Sequence, residues 1–165
     1  MPATQDDLFA RFEALGIETT THDHPPLFTV EDSRALRGEL PGGHCKNLFL
    51  KAKNGSLWLV VALEETAVDL KALAKQLGGG TLSFGKPELL WEVLGVVPGA
   101  VTPFALMNDR EGKVSPILEA RMMAMPLLNY HPLRNDRTTA LSSADLLRFV
   151  RDCGHDPQVA DLPTR

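Results

Sequence analysis

The stretch CKNLFLKAKNGSLWLVVAL, residues 45–63, decides the fold of this chain. It holds two apolar runs, 45–52 and 57–63, separated by the dipeptide Asn54-Gly55. Asn-Gly between apolar runs is the strongest short-range signal for a β-hairpin. We therefore expect two antiparallel strands joined by a tight turn.

Helices and further strands flank this hairpin without a regular strand–helix–strand repeat. Pro87 suits the first residue of a helix, and Gly16, Gly78 and Gly95 suit helix ends. Pro116 within a strand favours an edge position, and the polar tail from residue 157 suggests a loose end. The pattern predicts one α+β domain, residues 1–165. The expected helices are 4–16, one entered at Thr29, 69–78, 87–95 and 143–153, and the other strands are 17–22, 81–84, 104–108, 113–118, 127–133 and 138–142.

Composition narrows the class of protein. The 165 residues are 44% hydrophobic and 23% charged, without an apolar run long enough to span a membrane or a signal-peptide pattern. Two distant cysteines suit a reduced, cytoplasmic protein. The net charge of −4 argues against a protein that coats DNA or RNA by bulk electrostatics, so any RNA contact should be small and local.

Conventional catalytic and cofactor signatures are missing. The sequence has no GxSxG elbow, no phosphate-binding P-loop, no GxGxxG after a strand and no HExxH helix. His22 and His24 form an HxH pair, but no third ligand follows at a metal-binding spacing. These residues therefore predict no metal site.

Lys46 and Asn47 are the first candidate site residues. Alternation in a strand places Lys46 on the face of Leu48 and Leu50, with Asn47 on the other face. A lysine here either extends to solvent or is a fixed cation that contacts a phosphate or carbonyl oxygen. Cys45 is either a nucleophile activated by its basic neighbours or, as we prefer, a buried thiol.

A glycine-proline loop and a histidine are the other candidates. In LGVVPGAVTP, residues 94–103, Gly99 and Pro103 stand four positions apart. The loop is either an ordinary turn or a rigid presenter of backbone N–H groups to an oxyanion. His131 precedes Pro132, which favours an extended backbone at a strand end. Its role is either structural or catalytic.

Three segments in this order resemble a known family. KNLFL (46–50), LGVVPGAVTPFAL (94–106) and NYHPLRNDRTTALSSADLLRF (129–149) are similar to the YbaK-like editing domains of bacterial prolyl-tRNA synthetases and their free-standing relatives. The upstream HPPLFTVEDS (24–33) resembles the family segment that lines the amino-acid pocket. The resemblance spans residues 5–155 and is strongest to the free-standing, alanine-clearing ProXp-ala branch.

This resemblance implies a curved mixed β-sheet flanked by helices and an aminoacyl-tRNA deacylase without a cofactor. Its substrate would be the acceptor end of mischarged tRNA(Pro), alanyl-tRNA(Pro) above all, with prolyl-tRNA synthetase as a further possible partner. Cysteinyl-tRNA(Pro), a broader substrate range or non-catalytic binding of a tRNA end are the alternatives. Tyr130 departs from the family, where phenylalanine is common.

The resemblance also assigns roles residue by residue. It implies that Lys46 holds the terminal adenosine or the ester, and that His131 shapes the pocket floor. The loop from Gly99 to Pro103 would present backbone groups to the ester, and the size-selecting wall would exclude proline. Residues implied to contact substrate are Asn47, Ala100, Val101 and Thr102, with Leu27, Phe28 and Val30 in that wall.

Overall fold

A computed structural model describes residues 2–25 and 40–165 of the chain. The predicted helix entered at Thr29 lies outside these residues. The described helices are α1 (Gln5–Leu15), α2 (Leu70–Leu77), α3 (Pro87–Leu94), α4 (Ala120–Met123) and α5 (Ser143–Asp152), with a 3-10 helix at Pro103–Asn108. The strands are β1 (Thr20–Asp23), β2 (Gly43–Ala52), β3 (Leu57–Leu63), β4 (Leu82–Phe84), β5 (Val114–Glu119), β6 (Leu127–Tyr130), β7 (Arg137–Ser142) and β8 (Gln158–Ala160).

One mixed sheet organises the described residues. Its strands run in the order β1-β7-β6-β2-β3-β5-β8, and β4 pairs with β2 beside this path. The β2–β3 hairpin is antiparallel as predicted, whereas β2 pairs with β6, β3 with β5, and β5 with β8 in parallel. A single α+β sheet with helices confirms the predicted fold class.

Alternation along β2 and β3 supplies two hydrophobic cores, one on each face of the sheet. Phe49, Leu59 and Val61 face the larger cluster, which also takes side chains from α1, α3, the 3-10 helix and α5. Leu50 and Val60 face the smaller cluster, which takes side chains from α2 and from Leu162 near the end of the chain. Burying both faces of a strand explains its almost uninterrupted apolar sequence.

Local sequence signals determine most helix ends. Thr4 and Asp7 form a reciprocal capping box at the start of α1, and Gly16 ends that helix in the left-handed conformation. Asp69 caps α2 through the Ala72 N–H, and Ser142 caps α5 through the Asp145 N–H. No described helix has the length and apolar character needed to cross a membrane.

Three expectations were wrong. The segment PFALMN is the 3-10 helix and not a strand, because Pro103 starts a turn whose side chains are buried all round. The tail is not loose, since β8 pairs with β5 and Thr164 forms a bridge with Val68. β5 is therefore not an edge strand, although Pro116 precedes the residues that β8 covers.

Candidate active site

A gap in strand pairing along β2 forms the candidate site. β3 covers one edge of β2 throughout, but on the other edge β6 pairs only with Gly43–His44 and β4 only with Leu50–Ala52. Among the described residues, no strand pairs with this edge between those two segments. Because the Glu64 N–H donates to the His44 carbonyl, alternation directs the backbone groups of Asn47 toward the unpaired edge.

Asn47 presents a side-chain acceptor at this gap. Its Oδ1 is buried and has no hydrogen-bond partner. Buried polar atoms are almost always satisfied, and one that is not calls for an explanation such as a ligand or water that completes the site. Asn47 therefore combines a free side-chain oxygen with backbone groups that face the same open edge.

Lys46 leaves β2 on the face of the smaller core, as alternation predicted. Its Nζ donates to the backbone carbonyl of Thr66, and the side chain is only partly exposed. Partial burial, followed by the positive charge of Arg165, lowers the pKa of Lys46, while Glu119 and Glu64 oppose this shift. The lysine is thus a held cation beside the site and not a side chain extended freely into solvent.

His131 follows β6 directly and is mostly buried. Its Nδ1 lies 2.9 Å from the Arg137 carbonyl oxygen, which can only accept, so Nδ1 carries a proton. Burial lowers the pKa of His131, the Arg137 hydrogen bond opposes this shift, and the nearby His24 reinforces it. In the neutral ring, Nε2 is then the acceptor.

His24 completes a pair of imidazoles that the sequence did not reveal. The two ring centroids lie 6.1 Å apart, and His24 Nε2 lies 2.8 Å from the Thr138 hydroxyl. His24 Nδ1 lies 2.8 Å from the Pro25 carbonyl oxygen, which fixes that nitrogen as a donor. No group of three metal-binding side chains forms among the described residues, so His22 and His24 gain no third ligand there.

The Gly99 loop contains a tight turn. The Ala100 N–H donates to the Val97 carbonyl at 3.0 Å, and Gly99 has φ 90°, the arrangement of a type II turn. The Thr102 hydroxyl accepts from the Phe104 N–H, so this threonine caps the 3-10 helix. Within the loop Gly99 is exposed and Val101 partly exposed, whereas Ala100, Thr102 and Pro103 are buried. The contacts predicted between these residues and substrate stay predictions.

The structure brings two of the three motifs into proximity. A Cβ placed on Gly99 would lie 3.5 Å from Asn135 Nδ2, so the glycine loop lies beside the loop that follows His131. Lys46 contacts neither loop, because it leaves β2 on the opposite face from Ala100 and Val101. The unpaired β2 edge is the boundary between those faces. Leu27, Phe28 and Val30 lie outside the described residues, so the pocket wall stays a prediction.

Cys45 and Tyr130 are internal. Burial raises the pKa of the Cys45 thiol to about 12, which supports a buried thiol over a nucleophile. The hydroxyl that distinguishes Tyr130 from phenylalanine lies 3.2 Å from the Met122 sulfur in the larger core. Neither group reaches a reacting atom at the open edge.

Sequence reasoning missed Thr66, His24 and Asn135. Each meets a predicted residue from a distant part of the chain, and no local pattern marks such a contact. His24 belongs to the HxH pair and begins the segment 24–33 that resembles the family's pocket lining, but neither signal predicted its contact with His131.

Comparisons with known proteins agree with this geometry. Residues 24–149 match the family model described as the aminoacyl-tRNA editing domain. The chain is 40% identical over 157 residues to prolyl-tRNA synthetase associated domain-containing protein 1 of Bos taurus, covering 92% of this chain and 91% of that protein. It is 31% identical over 156 residues to the prolyl-tRNA editing protein ProX of Acetoanaerobium sticklandii, covering 94% of this chain and 95% of that protein.

A solved structure supports the same fold. The crystal structure of a putative trans-editing enzyme for prolyl tRNA synthetase matches with a TM-score of 0.73 and 18% identity over the whole of both chains. The fold and the matching family model thus define the class of aminoacyl-tRNA editing domains. The chain belongs to that family, in its YbaK-like, prolyl-tRNA-synthetase type, as the sequence resemblance predicted.

Proposed function

We propose that this chain hydrolyses the ester of mischarged tRNA(Pro), with alanyl-tRNA(Pro) as the main substrate. It would act in trans after prolyl-tRNA synthetase has released the product. The two free cysteines support the expected cytoplasmic location. No cofactor enters the proposal.

One observation carries this proposal. The unpaired edge of β2 holds the backbone groups of Asn47 beside its unsatisfied Oδ1, with the held cation Lys46 on the adjoining face. Such an edge offers donors and acceptors to the terminal ribose and the ester together.

The chemistry requires little from the side chains. Water attacks the ester carbonyl carbon, the bond to the ribose oxygen breaks, and that oxygen leaves with a proton derived from the water. An aminoacyl ester is already activated, so positioning and stabilisation of the developing oxyanion can suffice. In the proposed arrangement, Lys46 and the Gly99 loop fix the ester, and the ribose 2′-hydroxyl helps to activate the water.

Selection of the amino acid is proposed to be steric. Leu27, Phe28 and Val30 would form a wall that admits alanine and rejects the larger proline ring. A site that is merely too large discriminates weakly against a smaller amino acid, by about 1–3 kcal/mol for a methylene, so cysteine remains the chief competitor.

The direct test is deacylation of alanyl-, cysteinyl- and prolyl-tRNA(Pro) by the wild type, Lys46→Ala and a control. Lys71→Ala is a suitable control because Lys71 is an exposed lysine on α2, outside the candidate site. We expect release of alanine, retention of proline, and a loss of about a hundredfold or more in Lys46→Ala. Full activity of Lys46→Ala would contradict the proposed role.

Two features favour an alternative function, in which the chain binds a tRNA end without hydrolysing the ester. The Lys46 Nζ is already held by the Thr66 carbonyl, and no described side chain at the open edge is an obvious general base. Binding of tRNA(Pro) without turnover on any of the three substrates would favour this reading.

A further inference from the structure

A groove of about 650 Å³ lies where β2, β4 and α3 meet, outside the three motifs of the candidate site. Its floor comes from the ends of β2 and β4, and α3 forms one wall. The groove lies outside the three family motifs, and its lining residues Ala52 and Leu89 also pack in the two cores. Its lining suggests a polymeric, anionic ligand.

Three lysines line the groove: Lys51, Lys53 and Lys86. All three side chains are exposed, and in the part of the chain that the structure describes none forms an ion pair. The chain has a net charge of −4, so a local group of unpaired cations departs from its overall character. Lysines without carboxylate partners are the groups that neutralise phosphates.

An aromatic ring lies among these lysines. Phe84 is 62% exposed, an unfavourable placement for a large apolar side chain in water. Cations beside an exposed aromatic ring are the combination that binds single-stranded nucleic acid, with phosphates on the cations and a base stacked on the ring. Glu88 and Glu92 line the α3 wall. Their carboxylates can accept hydrogen bonds from ribose 2′-hydroxyl groups.

The groove lies next to the unpaired edge of β2, because β4 pairs with Leu50–Ala52 directly after that stretch. The Gly85 N–H donates to the Phe49 carbonyl, and a Cβ on Gly85 would lie 2.3 Å from the Phe49 ring. Only glycine permits this approach, which joins the β4 end of the groove to the edge that holds Asn47. Asn47 and Lys51 are four positions apart along the strand, about 13 Å at the usual rise per residue. A few nucleotides span that distance.

We propose that this groove binds the single-stranded acceptor end of the tRNA, namely the nucleotides that precede the terminal adenosine. Lys51, Lys53 and Lys86 contact their phosphates, and Phe84 stacks on one base. The inference rests on the proposed function for the position of the ester, and it adds the surface that carries the RNA. It also explains how an acidic protein gains affinity for tRNA.

The first test measures binding of uncharged tRNA(Pro) by fluorescence anisotropy over a range of salt concentrations. The variant is the triple Lys51→Gln/Lys53→Gln/Lys86→Gln, and its matched control is Lys71→Gln/Lys75→Gln/Lys113→Gln, which removes the same charge from exposed positions elsewhere. We expect the groove variant to bind about tenfold or more weakly. Its slope of log affinity against log salt should fall by about 2, for three lost phosphate contacts.

A second variant tests the aromatic contact. Phe84→Ala should weaken binding about fivefold or more, with the salt slope unchanged, because stacking releases no counterions. Equal binding by the groove variants and the control triple would overturn the inference. An equal loss of duplex DNA binding in the groove variants would also overturn the inference, because the groove would then bind polyanions in general.

Activity separates this inference from the proposed function. Alanyl-tRNA(Pro) and the short substrate alanyl-adenosine are compared for both triples, and the groove variant should lose at least about tenfold more kcat/KM on the full tRNA. Equal losses on both substrates would place the effect at the reaction centre and contradict the inference. If the wild type hydrolyses neither substrate, the proposed function fails, while the binding measurements still decide the groove.

Discussion

At the scale of single residues, the site depends on side chains whose hydrogen bonds fix their chemical state. His131 donates from Nδ1 to the Arg137 carbonyl, and His24 donates from Nδ1 to the Pro25 carbonyl. When either ring is neutral, its Nε2 is the acceptor, and the His24 Nε2 lies 2.8 Å from the Thr138 hydroxyl. Protonation of His131 would place a positive charge in a mostly buried position beside His24. Burial and the nearby His24 both disfavour that charge and lower the pKa of His131.

This arrangement predicts a pH-dependent contribution to stability. The pKa of His131 is lowered in the folded state, so the unfolded chain takes up the proton first as the pH falls through about 6.5. Stability due to this residue is complete above that pH and declines below it, by at most about 1.4 kcal/mol per pH unit. Urea unfolding of the wild type and His131→Gln at pH 7.5 and 5.5 measures this, and the wild type should lose more. Identical losses in both proteins would contradict the burial argument.

The candidate site shows how far residue patterns reach. Alternation along 45–52 correctly placed Lys46 and Asn47 on opposite faces, because strand geometry is local. The same pattern could not show that Lys46 meets the Thr66 carbonyl, nor that the Asn47 Oδ1 lacks a partner. Those facts depend on how β3 turns back and on where β6 and β4 stop.

At the scale of elements, most of the fold was predictable where short-range chemistry decides it. The Asn54-Gly55 turn gave the hairpin, Pro87 starts α3, and Gly78 ends α2. The segment PFALMN was misassigned because a short apolar run fits either a strand or a buried turn of helix. Its burial on every side, between α3 and α5, decides for the helix.

The end of the 3-10 helix is tied to β5 and to the segment after α5. Asp109 is buried, and its carboxylate accepts from the Lys113 N–H, the Val114 N–H and His155 Nε2 at 2.8–3.0 Å. The Gly112 N–H also donates to the Asp109 carbonyl, which closes a turn at residues 109–112. Three elements therefore share one buried acceptor.

Removing this acceptor should destabilise the fold strongly. Asp109→Ala leaves two buried donors, the Val114 N–H and His155 Nε2, without a partner, at a cost of about 2 kcal/mol or more. The control is Asp152→Ala, since Asp152 is exposed and lies 3.8 Å from Arg11, a surface pair worth about 1 kcal/mol or less. Urea denaturation of the two variants and the wild type makes the comparison. A loss in Asp109→Ala no larger than in Asp152→Ala would show that the shared acceptor contributes little.

At the scale of the whole molecule, residues 162–165 pack against the smaller core and lie near Lys46 of the candidate site. Leu162 is buried in that core, Asp69 N–H donates to the Pro163 carbonyl, and Arg165 N–H donates to the Ala67 carbonyl. The polar composition of this tail predicted a loose end. Its order comes from the burial of Leu162 and from backbone hydrogen bonds to residues 67–69, which are distant in sequence. Ala67 adjoins Thr66, which holds Lys46, so the tail places Arg165 beside the candidate catalytic cation.

The tail should therefore tune Lys46 electrostatically. The positive charge of Arg165 disfavours a second charge nearby, so Arg165→Gln should raise the pKa of Lys46 toward the ordinary lysine value. Titration of the lysine side chains by NMR, with Lys46→Arg used to assign the signal, measures this without any assay of activity. Arg148→Gln is the control. Arg148 lies on α5, where it donates to the Asp145 carboxylate and to the Leu15 carbonyl of α1, and it has no contact with the loop that holds Lys46. A Lys46 titration unmoved by Arg165→Gln would mean that solvent screens the two cations from each other, and burial alone would then account for the lowered pKa.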